Sequence, residues 1–123
     1  MYKRQEVVVG APLDSALDAI YVHDPAAVTI RGAVLLRPGK ELRRVEVDAI
    51  EHDFRAAGID VLARLGAPAT AEGGDMLWLD EHTLVVGRGY RTNDAGIDAL
   101  RTALPDVEVL AVDLPHYLSL IHI

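Results

Sequence analysis

A few carboxylates and two arginines hold most of the chemistry this sequence can offer. Glu72 and Asp75 flank Gly73-Gly74, and an apolar run, Met76-Leu77-Trp78-Leu79, follows at once. Glycine has no Cβ, so the backbone can fold closely beneath the two acids. The apolar run then anchors the turn in a core, and fixed negative charge is aimed at one point. That suits a cationic ligand; the plainer alternative is a tight turn with two solvated acids. Asp18 and Asp24 are further candidates, and Pro25 pushes Asp24 toward extended geometry at a strand end. Arg43 and Arg91 are the candidate cations. A pocket with acids at one end and arginines at the other fits a zwitterionic guanidino acid. Carboxylates grip a planar guanidinium through paired, charge-assisted hydrogen bonds, and arginines hold an α-carboxylate in the same way. The competing readings are a solvated Arg43 in the first turn of a helix, an Arg91 that only ties down its turn, and aspartates that only form turns.

Other chemistries find little support. There is no cysteine, so this chain offers no disulfide, thiolate metal site or thiol nucleophile. His52 and His82 fall on polar positions, and His23 and His116 lack metal-ligand spacing to one another. Gly87-Arg88-Gly89 follows a hairpin and is too short for a phosphate loop. No metal and no cofactor are expected. A net charge of −7 argues against nucleic acid as a partner, and does not oppose a small cationic substrate. No apolar run approaches the roughly 18 residues of a membrane span, and the N-terminus is unlike a signal peptide. The expectation is a cytoplasmic protein with no membrane partner.

The elements that must position these residues form a pattern that occurs twice. Val28-Thr29-Ile30 and Ala33-Val34-Leu35-Leu36 predict a hairpin around Arg31-Gly32. A Pro38-Gly39 turn leads to a helix over residues 42–57, with Leu42, Val45, Ala49, Ile50, Phe54 and Ala57 at helical spacing. Gly58 is placed to end it, and residues 59–63 predict a strand. In the second unit, residues 76–79 and 83–86 predict a hairpin, and residues 93–104 a helix capped by Thr92 or Asn93. Pro105 stops that helix before a strand over residues 107–112. The chain reads ββαβ, ββαβ, an α+β repeat of roughly 48 residues. Arg43 and Arg91 stand at matching places, each where a hairpin hands over to its helix. A leading segment, with a short strand at residues 6–10 and an extended stretch at 19–22, precedes the repeats.

The two ends read differently from the rest. Back-translated, Met1-Tyr2-Lys3-Arg4-Gln5 and Leu118-Ser119-Leu120-Ile121-His122-Ile123 resemble the two strands of a transposon end used in sequencing-library preparation. Residues 1–5 and 118–123 are therefore expected to be adapter-derived, with residues 6–117 the genuine protein. Setting Lys3 and Arg4 aside takes the formal charge from −7 to −9. Two modules alone would leave sheet edges open, so a longer protein is expected.

Four stretches in this order, Ala19-Ile20-Tyr21-Val22-His23-Asp24-Pro25, Arg37-Pro38-Gly39-Lys40-Glu41-Leu42-Arg43-Arg44, Glu72-Gly73-Gly74-Asp75 and Gly89-Tyr90-Arg91-Thr92-Asn93, resemble the guanidino-modifying enzymes. The nearest likeness is to dimethylarginine dimethylaminohydrolase, with arginine deiminase and amidinotransferase as relatives. The resemblance implies the pentein fold, a five-bladed α/β propeller of ββαβ modules with its site on the axis. It implies that Asp24 and Asp18 contact the substrate guanidinium, and that Glu72 orients a catalytic histidine. It further implies that Asp75 lies near the substrate or supports the loop, and that Arg43 and Arg91 bind the substrate carboxylate. It also implies hydrolysis through a covalent S-alkylthiouronium intermediate on a cysteine. That cysteine, and the histidine, are expected beyond this chain, which alone should be inactive. The implied partner is a small guanidino amino acid, with room for a homodimer in the full-length protein. Alternatives are an amidinotransferase, a non-catalytic binding module of the same fold, and a stand-alone regulatory domain.

Overall fold

The computed structural model describes Gly10 and residues 23–114. The first repeat opens with β1 (Ala26–Thr29) and β2 (Gly32–Leu35), an antiparallel hairpin with Ala26 opposite Leu35 and Thr29 opposite Gly32. A 3-10 turn at Glu41–Arg43 runs into α1 (Arg44–Ala56). Gly58, at φ +80°, ends that helix in the left-handed region where a Cβ is disfavoured. The chain then returns as β3 (Val61–Arg64), parallel to β2. The second repeat starts with a 3-10 turn at Gly73–Asp75 and continues as β4 (Met76–Asp80), β5 (Thr83–Arg88), α2 (Asp94–Ala103) and β6 (Glu108–Asp113). β5 is again central, antiparallel to β4 and parallel to β6. The expected double ββαβ unit is thus present, as an α+β arrangement of two three-stranded sheets.

Two apolar clusters hold these elements together. Ala26, Leu35 and Val47 pack with Ile50, Phe54 and Val61, which fixes α1 to one face of the first sheet. Val34 and Leu36, pointing the other way, join Leu84, Val86, Ile97, Leu100 and Leu104 in a larger cluster. That cluster links the first sheet to α2 and the second sheet, so the two repeats share a core. Asn93 is the cap of α2: its side chain accepts from Gly96 N–H and Thr70 N–H and donates to the Pro68 carbonyl.

Two details depart from the sequence reading. Leu42 is 86% exposed and Val45 is exposed too, so the buried apolar stripe of α1 begins at Val47. The reason is the 3-10 turn, whose tighter winding shifts which side chain points inward; Arg43 takes that place. Leu77, read as core, lies on the exposed face of β4, while Met76 beside it is buried, as strand alternation requires. The leading segment, Asp18, His116 and both chain ends lie outside the described residues, save for Gly10.

Candidate functional site

The acidic turn sits where the two repeats meet. Glu72 is extended, at φ −133° and ψ 143°, and the 3-10 turn of Gly73–Asp75 follows it. The segment at His23-Asp24 crosses directly over this turn. Gly73 N–H donates to the Asp24 carbonyl at 2.8 Å, and Gly74 N–H to Asp24 Oδ1 at 2.9 Å. A Cβ on Gly73 would stand 2.0 Å from the His23 carbonyl oxygen, and one on Gly74 would stand 2.8 Å from Asp24 Oδ1. Both glycines are there because the approach leaves no room for a side chain.

The candidate cations meet these acids directly. Arg43, only 6% exposed, donates from Nη1 to Asp24 Oδ2 at 2.7 Å, and the same atom lies 3.7 Å from Glu72 Oε1. Its other edge donates from Nε and Nη2 to the two oxygens of Glu46, both at 2.8 Å. The hydrogen bond to Glu46 is the largest of the effects that raise the Arg43 pKa still further above its ordinary value. Arg91 donates from Nη2 to Asp75 Oδ1 at 2.9 Å, and its Nε lies 3.2 Å from Glu72 Oε2. Asp75 accepts a second hydrogen bond from Thr92 Oγ1 at 2.8 Å, and that hydroxyl accepts from Glu72 N–H at 3.3 Å. Arg43 is buried, whereas the Arg91 side chain is 38% exposed.

Asp24, Arg43, Glu72, Asp75 and Arg91, drawn from both repeats, therefore form one cluster. They are not sorted with acids at one end and arginines at the other; the charges interleave. Nor is Arg43 solvated. Two members were missed by sequence reasoning. Thr92 was a candidate helix cap, but Asn93 does that work, and Thr92 is fully buried against Asp75. Glu46 sits three residues after Arg43, a spacing that brings helical side chains together, and that was the available signal.

The electrostatics are unbalanced. Among the described residues, Asp24, Glu46, Glu72 and Asp75 face Arg43 and Arg91, four carboxylates against two guanidiniums. Glu72 is 1% exposed, and its Oε2 is buried without a hydrogen bond, since the nearby Arg91 Nε is an ion-pair neighbour not aligned to donate. Burial pushes the Glu72 carboxyl above its ordinary value; Arg91 and Arg43 oppose this, and Asp24 and Asp75 reinforce it. Such a centre favours a bound cation. No group of acids or histidines among the described residues is arranged to hold a metal ion.

The arginine deiminase family model matches residues 4–123. The chain belongs to the arginine deiminase family. Members resembling it include a dimethylarginine dimethylaminohydrolase of Streptomyces coelicolor, 36% identical over 111 residues, covering 85% of this chain and 40% of that protein. An arginine deiminase of Listeria monocytogenes is 34% identical over 122 residues, covering 90% of this chain and 30% of that one. Among solved structures, a dimethylarginine dimethylaminohydrolase of Pseudomonas aeruginosa complexed with citrulline superposes with a TM-score of 0.78 at 32% identity, covering 89% of this chain and 43% of the other. The chain thus spans at most about two fifths of the length of these curated relatives. The two small mixed sheets and their helices match this family's fold. No helix among the described residues is long and apolar enough to cross a membrane.

Proposed function

We propose that this arginine deiminase family chain supplies the guanidinium-binding part of a hydrolase acting on arginine or methylated arginine. The observation that carries the reading is the buried surplus of carboxylate around Glu72 among the described residues, where its Oε2 has no hydrogen bond. A substrate guanidinium supplies both the missing charge and planar N–H donors. In this reading Asp24, with Asp18, anchors the guanidinium, and Glu72 orients a histidine. Asp75 supports the turn and the adjoining Arg91. Arg91, the more exposed of the two arginines, takes the substrate carboxylate together with Arg43. The two repeats are two blades of a five-bladed propeller whose remaining blades come from outside residues 6–117.

The chemistry runs through a cysteine that these 123 residues do not contain. Its thiolate attacks the guanidinium carbon, and the amine departs with a proton from the histidine. Water, deprotonated by the same histidine, then adds to the thiouronium carbon and expels the thiolate, leaving a ureido product. The carboxylates keep the guanidinium oriented and its charge stabilised throughout.

The test starts from the complete reading frame. A downstream histidine and cysteine are expected, and the expressed protein should release citrulline from L-arginine or dimethylarginine. Adding glycine and looking for a transferred amidino group separates hydrolysis from amidinotransfer. A frame lacking both residues, or a full-length protein that binds no arginine analogue, overturns the hydrolase and leaves a non-catalytic module.

A further inference from the structure

Glu46 has no role in the chemistry above, yet it is 4% exposed on the first turn of α1. Its two oxygens occupy one whole edge of the Arg43 guanidinium, at 2.8 Å to Nε and 2.8 Å to Nη2. A planar fork held on two of its three nitrogens has little freedom to rotate. Its third nitrogen is thereby aimed at Asp24 Oδ2, 2.7 Å away. Asp24 in turn takes the amides of Gly73 and Gly74 through its carbonyl and its other carboxylate oxygen. A continuous series of hydrogen bonds therefore runs from α1 of the first repeat to the acidic turn of the second. Burying an ion pair is, in itself, weak support for stability, since well-packed apolar residues often serve as well. What the pair does supply is direction.

We propose that Glu46 is a positioning residue of the guanidino site: it fixes Arg43, which sets Asp24 and the Gly73-Gly74 turn that follows Glu72. The inference rests on the hydrolase reading and assigns Glu46 no contact with substrate. Its signature is on substrate affinity rather than on the chemical step, because the groups it aligns are those that grip the guanidino acid before bonds change.

The experiment uses the full-length protein carrying this chain, with L-arginine or dimethylarginine, whichever it turns over, as substrate and binding probe. Glu46→Gln keeps the size but removes the charge and turns one acceptor toward Arg43 into a donor. Glu46→Asp keeps the charge on a shorter arm. Glu46→Gln should raise KM about 10-fold or more, the loss that goes with a charge-assisted contact, with kcat changed far less. Glu46→Asp should recover part of that loss. An unchanged KM in folded Glu46→Gln, whatever its melting temperature, overturns the positioning role and leaves a structural ion pair. If Glu46→Gln does not fold, Glu46→Asp decides: a wild-type KM in that variant overturns the role, and a raised one supports it. A wild-type protein that neither turns over nor binds L-arginine or dimethylarginine overturns the hydrolase reading instead, which separates the two failures.

Discussion

Arg43→Met is the sharpest perturbation the site offers, because it keeps the bulk of the side chain and removes its charge. Arg43 is held by Glu46 through two hydrogen bonds, by Asp24 at 2.7 Å, and lies 3.7 Å from Glu72. Truncating one partner of a buried pair costs about 3–5 kcal/mol, because the opposite charge stays buried without compensation. Here several carboxylates lose the same cation, so the upper part of that range applies, a large share of the 5–15 kcal/mol that holds a typical domain together. The penalty comes from carboxylates that are ionised and buried without their cation; it is therefore full at neutral pH and smaller in acid. Urea unfolding of wild type and variant at pH 7 and near pH 4 measures both parts. The double variant Arg43→Met/Glu46→Leu removes one of the stranded acids, the one with two hydrogen bonds to Arg43, and should recover part of the loss. A change under about 1 kcal/mol at pH 7, the value of a solvated ion pair, refutes the reasoning. A loss independent of pH does so as well.

Three more outcomes follow from the same geometry. Burial holds the Glu72 carboxyl above 4.5, so ionising it costs folded-state stability as pH rises from that unfolded value through the higher folded one. Glu72→Gln should therefore melt higher than wild type at pH 8, with the difference shrinking as pH falls toward 4.5, while the full-length protein loses turnover; a variant less stable at pH 8 contradicts this. Gly73→Ala places a methyl 2.0 Å from the His23 carbonyl oxygen, and the resulting overpacking should cost about 1–3 kcal/mol together with arginine binding, read by calorimetry. Leu100, fully buried between α2 and the sheets, should cost about 2–5 kcal/mol on Leu100→Ala by denaturant unfolding.

Much of this architecture was legible because each repeat is punctuated in its own sequence. Gly58 and Pro105 stop the two helices, and the apolar runs separated by Arg31-Gly32 and by Asp80-Glu81-His82 mark the hairpins. The strands differ from expectation by one or two residues, as ends without caps do. The candidates Asp24, Arg43, Glu72, Asp75 and Arg91 were all nameable from residue type and placement. Their mutual order was not. Which acid meets which arginine depends on pairs 16 and 19 residues apart for Asp75–Arg91 and Asp24–Arg43, distances at which local periodicity carries no information. Glu46 escaped for a related reason. A glutamate on the first helical turn is ordinarily solvated, and it is buried here only because Arg43 turns inward toward Asp24. The stripe reading of α1 failed at Leu42 on the same account, since the residue that turns inward there is charged.

The amides of Gly73 and Gly74 have a use that follows from where they point. Each is bonded to Asp24, some 50 residues back in the chain, across the seam between the repeats rather than within either one. Neither hydrogen bond can survive if the modules part, even with both sheets intact. Their exchange with deuterated solvent therefore reports the free energy of separating the repeats, while the amides at the centres of β2 and β5 report unfolding within them. Two glycines thus give a direct gauge of how tightly duplicated halves are coupled, and of whether a bound arginine tightens that coupling.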